Sequence, residues 1–120
     1  MESWSLSEIE TPGGALSPVV LSTLDGTRAI LIRLQAGQEL GEHEVRERAW
    51  LVVVEGAVEI ADAAAEPFEA GAGALVTFAP GERHTVRAPA GARLLLLLAP
   101  WPADGHYVEG ERNAAAATAR

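Results

Sequence analysis

Short apolar runs recur about every ten residues along this chain, each closed by Gly, Pro or Asp. Val19-Val20-Leu21 comes first, and Arg28 to Leu34 follows the pair Asp25-Gly26. Asp-Gly between apolar runs predicts a tight hairpin, because both central positions of a type I′ turn need positive φ. After Ala36-Gly37 an acidic, polar stretch reaches Arg48, and Ala49 to Val54 is apolar again. Glu55-Gly56 reads as a turn into Ala57 to Ala61, and Asp62 to Glu66 as a further connection. Phe68, Leu75 to Phe78, His84 to Ala88 and Arg93 to Ala99 complete the series. No window before residue 110 keeps a helical apolar stripe over three turns. The pattern predicts an all-β antiparallel sandwich or barrel.

Composition narrows this picture without changing it. With 120 residues there is room for one domain with its own core. We read residues 1–27 as an N-terminal segment with the first strand, 28–100 as the barrel, and 101–120 as a Trp-anchored segment with a disordered Ala-rich tail. A net charge of −8, with nine arginines and no lysine, repels phosphate backbones and anionic lipid, so neither nucleic acid nor a membrane surface is an expected partner. The absence of Cys excludes disulfides, thiolate metal sites and a cysteine nucleophile. Met1-Glu2-Ser3-Trp4 has no basic start or apolar run, which predicts a cytoplasmic protein. There is no glycine-rich phosphate loop and no nucleophile elbow.

Candidate chemistry centres on the histidines. His43 lies between Gly37 and Gly56, and His84 follows Gly81 in Ala79-Pro80-Gly81-Glu82-Arg83-His84. Gly37, His43 and Gly56, then Gly73, Gly81 and His84, resemble in register the two motifs of the cupin superfamily, a jelly-roll β-barrel (double-stranded β-helix) family. The resemblance implies a pocket between two sheets. It also implies a divalent metal held by two His and one Glu of the first motif and the His of the second. Here the second His position is Val45, and the Glu position is Ala49, or Trp50 at the longer spacing; Ala88 stands for the second motif's Asn. Only His43 and His84 remain of four ligands, and stable sites usually present at least three protein donors. No cofactor is required by the sequence, and a divalent first-row transition metal is the one candidate.

Strand parity sets Val45, Glu47, Ala49, Leu51 and Val53 on the face of His43. Glu47 is therefore a weaker candidate for a third ligand, given a bulge; the alternative is that it sits in a solvated loop. His106, beyond Trp101, is another weak candidate, with a surface position as its alternative. Trp101 is expected to cap one end of the barrel, and Arg83 and Arg87 to flank His84 on the outer face. The expected pocket lining is His43, Val45, Leu51, Val53, Phe78, His84 and Val86.

Trp50, Val52 and Val54, and one side of Leu94 to Leu98, are apolar on the outward face as well, so a second layer must cover them. A homodimer supplies one, the N-terminal segment with Trp4, Leu6 and Ile9 is the alternative, and both hold if that segment packs on the partner subunit. Function divides between binding of a small organic ligand without a full metal site and a metal-dependent dioxygenase or isomerase. A metal-free acid–base isomerase using the two histidines is a third expectation.

Overall fold

Eight strands make up the regular structure of the computed structural model, which describes residues 1–11, 18–43, 46–62 and 66–102, with backbone alone for 41–43. They are β1 (Val19–Leu24), β2 (Thr27–Leu34), β3 (Glu39–His43), β4 (Arg48–Asp62), β5 (Phe68–Gly71), β6 (Leu75–Phe78), β7 (His84–Arg87) and β8 (Ala92–Ala99). All pairings are antiparallel. The all-β expectation holds, and so does the first hairpin. Asp25 and Gly26 have φ of 53° and 74°, and Leu24 pairs with Thr27 across them.

The Glu55-Gly56 turn does not form. β4 instead runs unbroken for 15 residues and serves two sheets. Its first half pairs with β8 and β6, extending a sheet that continues through β2 to β1. Its second half pairs with β7 and β5, and β7 carries β3. The pairing slips between Val53 and Glu55, and Gly56 has φ 78°. An extra residue in one strand bends it and inverts the side-chain alternation. Ala49, Leu51 and Val53 accordingly point inward before the slip, and Val58 and Ile60 after it.

The core forms between the two halves of this curled sheet. Ile30, Leu96, Leu51 and Val76 make one cross-strand row, and Ile32, Leu94 and Val53 the next. One end of the barrel is closed by the row Arg28, Leu98, Ala49 and Phe78. Trp101 is buried there, as expected of a cap; its N–H donates to the Gly26 carbonyl at 2.7 Å and the Arg28 guanidinium lies 4.6 Å from its ring centroid.

The outer face of β2 and β8 is covered in part by the chain's own N-terminal segment. Leu31, on that face, is fully buried. Arg93 reaches outward to donate to the carbonyls of Leu6 at 3.2 Å and Ile9 at 2.7 Å. Arg93→Met keeps the aliphatic stem and removes both bonds, which should cost about 1–3 kcal/mol because hydrogen bonds from a charged donor are the stronger kind. Hydrogen exchange should show faster exchange confined to residues before Thr11. Unchanged protection there would mean that Arg93 does not hold the segment.

Candidate functional site

The loop before β7 is what positions the buried imidazole. Pro80 and Gly81 occupy the central positions of a turn in which the Glu82 N–H donates to the Ala79 carbonyl at 3.0 Å. Gly81 has φ 78°, as the third residue of a type II turn requires. The Glu82 carboxylate reaches back to accept the Ala79 N–H at 2.9 Å, closing the loop from the other side. The chain then enters β7 with His84 as its first residue, 5% exposed. Its ring lies parallel to Phe78, with centroids 3.7 Å apart and 3° between planes. Nδ1 is 3.1 Å from the Glu82 carbonyl oxygen. A carbonyl only accepts, so Nδ1 carries the hydrogen of that bond.

Beside this stack is a cavity of about 200 Å³ at the Phe78 end of the barrel. Its apolar wall includes Ile60, Val76, Phe68 and Phe78. Its polar side chains are Asp62, Glu66, Glu82, Thr77 and His84. Asp62 arrives there because the slip in β4 puts it on the inward alternation with Val58 and Ile60. The register sets Asp62 directly opposite His84, and His84 directly opposite His43 on β3, so the three lie in one row across adjacent strands.

Of the expected lining, Phe78 and His84 border the cavity. Leu51, Val53 and Val86 pack in the solid core beside it, each at most 1% exposed. His43 is placed by its backbone register alone, and Val45 and His106 lie outside the described residues. Glu47 is fully buried, which overturns the solvated-loop alternative. It sits two residues before Ala49 and keeps that residue's inward alternation, so its side chain has no route to water. Arg87 is exposed on the outer face, 3.5 Å from Glu59. Ile60, Asp62, Glu66, Phe68, Val76 and Glu82 are site residues that sequence reading did not find. Only the inverted alternation after Gly56 could have indicated Asp62.

The family's four-ligand metal set does not fit this chain. Ala49 has no lone pair to give and is packed in the core. Among the described residues, no three His, Asp or Glu side chains are grouped closely enough to hold a metal ion. A second depression of about 550 Å³ lies at the opposite end, along Arg33, Glu55 and Arg93. It has no aromatic wall, and its Arg93 is already engaged by the N-terminal segment.

This architecture recurs widely among solved structures. An RmlC-like cupin protein from Desulfovibrio desulfuricans superposes with a TM-score of 0.71 at 23% identity, over 83% of this chain and 97% of that one. A conserved protein with a double-stranded β-helix domain from Klebsiella pneumoniae gives 0.71 at 19% identity, over 86% and 93%. The cupin domain of Schizosaccharomyces pombe Cnp3 gives 0.69 at 16% identity, over 82% and 73%. At such identities the likeness concerns the fold. No protein of curated function matches the sequence. The family model for the cupin domain, however, matches residues 30–99. The four glycines that framed the motifs, Gly37, Gly56, Gly73 and Gly81, all have positive φ, as a conformational reason for that frame requires. On the sequence match and on the fold together, the chain belongs to the cupin family.

Proposed function

We propose that this protein binds a small organic ligand in the barrel cavity beside His84, without a full metal site. The observation that carries this reading is the cavity itself: a largely apolar wall against which one buried imidazole is locked by stacking and by the Glu82 carbonyl. Few, well-positioned polar groups in an apolar concavity are what orient a small molecule. The loss of donors at Val45 and Ala49 makes the site less polar than a four-ligand metal centre. The test is a small-molecule screen by thermal shift on the protein and on Val76→Phe, which fills the cavity from the β6 side. Ligands should raise the Tm of the wild type and lose that effect in a folded Val76→Phe protein. Equal shifts in both would place binding elsewhere.

A second reading is a metal-dependent dioxygenase or isomerase using His43 and His84. One observation favours it, the direct register of His43 with His84. It needs a further donor, with Glu47 and His106 as the candidates. Elemental analysis separates the readings. Near-stoichiometric metal that disappears in a His43→Ala, His84→Ala double variant would support the enzyme, and no metal in either protein would leave the binding reading.

A further inference from the structure

The outer face of β2, β8, β4 and β6 carries a pattern that a ligand site inside the barrel does not explain. An antiparallel sheet with one face toward water places polar side chains on that face. Here the register lines up Leu31, Leu95, Val52 and Leu75 as one row across the four strands. Ala29, Leu97, Trp50 and Thr77 make the next row. Exposure rises along the first row, away from β2. Leu31 is fully buried, Leu95 and Val52 are half-buried, and Leu75 is 60% exposed. We propose that a second copy of the chain docks on this face, in a two-fold dimer whose axis runs across the strands near Val52. The proposal stands apart from the ligand reading.

The order of charges along β4 is what selects a second copy as the occupant. Its outward positions begin with Arg48, continue through Trp50 and Val52, and end at Glu55. Glu55 belongs to this face because it pairs with Arg93, and its side chain is 53% exposed. Arg93 Nε is 3.9 Å from that carboxylate, while its Nη1 donates at 2.7 and 3.2 Å to the carbonyls of Ile9 and Leu6. The carboxylate therefore keeps acceptor capacity for a second cation. A strip that is basic at one end, apolar in the middle and acidic at the other complements itself when turned end for end. An axis near Val52 sets Arg48 over Glu55 of the partner subunit, twice, and closes the apolar rows on each other. The face also has the size. Arg48 to Glu55 spans about 25 Å and the four strands about 19 Å, a rectangle on the order of 500 Å². Side-chain relief raises its accessible area toward the roughly 800 Å² per partner of a standard interface.

The experiment is analytical ultracentrifugation of the full chain, from about 1 to 300 μM, a range that resolves micromolar dimers. A mass twice that of the 120-residue chain is expected. Leu75→Glu, at a position already 60% exposed, should weaken the dimer about tenfold or more without touching the core. Arg48→Glu and Glu55→Arg should each weaken it by about tenfold, because each sets like charges together across the axis. The double variant Arg48→Glu, Glu55→Arg should recover most of the affinity, which a purely structural role for either residue would not produce. A monomer across the whole range would overturn the proposal, and so would a dimer that Leu75→Glu leaves unchanged. Charge reversals that leave the dimer unchanged, or that weaken it with no recovery in the double variant, would overturn the two-fold arrangement about Val52.

Discussion

Gly56→Ala should be among the most damaging single-methyl additions available to this protein, costing about 3–5 kcal/mol in denaturant unfolding. Two separate effects combine at this position. The backbone has φ 78°, where an L-side chain is strained by about 1–2 kcal/mol. A Cβ there would also overlap the Gly91 carbonyl oxygen and come within 3.0 Å of the Ala92 Cα, which is backbone that cannot rotate away. Relief requires β4 and the β7–β8 connection to separate, just where β4 crosses between sheets. Gly26→Ala is the internal control. Its φ of 74° is nearly the same, but nothing lies within 4 Å of its Cβ position, so only the conformational cost of about 1 kcal/mol applies. Equal losses in the two variants would show that crowding at the crossing contributes nothing. Against a total stability of about 5–15 kcal/mol, the expected loss at Gly56 is enough to leave a large unfolded fraction.

Gly56 also marks where sequence reading succeeded and where it failed. Its place in the glycine frame was legible, and so was the need for a residue without Cβ. The kind of irregularity was not, because a hairpin turn and a strand-bending slip can ask the same φ of the same residue. The consequence is larger than one misplaced turn. A slip inverts the alternation, so Asp62 moves from a presumed connection to the inward face, opposite His84. The place of Asp62 at the cavity was hidden by that single inversion. Glu66, Glu82 and Phe68 were hidden for another reason, since loops and edge positions carry no periodicity that says which cavity they border.

The core and the imidazole were easier. The runs of β2, β8 and the first half of β4 read as strands from their apolar content. Burial alternates along β8 and the first half of β4, with Leu51 and Leu94 inward, while in β2 Ile30, Leu31 and Ile32 are buried in succession. The Pro80-Gly81 turn places His84 at a strand start by local rules alone. Glu47 shows how parity can outweigh polarity. Its position on the Ala49 alternation buries it, although its charge argues for water.

Trp101→Ala should rival Gly56→Ala in its effect, with a loss of about 3–5 kcal/mol expected for removing a buried indole. Trp101 is 8% exposed and belongs to the core, so the substitution opens a void at the same end of the barrel as the cavity beside His84. It also withdraws a compensating contact. The Arg28 guanidinium lies over the indole at 4.6 Å, while its buried Nε has no hydrogen-bond acceptor among the described residues. A half-buried cation over an aromatic face is worth about 0.5–2 kcal/mol, so part of the loss belongs to Arg28. A double-mutant cycle with Arg28→Met isolates that part. Coupling of about 1–2 kcal/mol between the two positions is expected, and additivity would mean that Trp101 acts through burial alone. Trp101→Phe should recover most of the burial and less of the coupling, because Phe is the weaker cation partner. The backbone bond from Trp101 to Gly26 survives every one of these changes, since it uses main-chain atoms. The latch between the first hairpin and the end of β8 should therefore persist in the Phe variant, with residues 24–28 keeping their hydrogen-exchange protection while global stability falls.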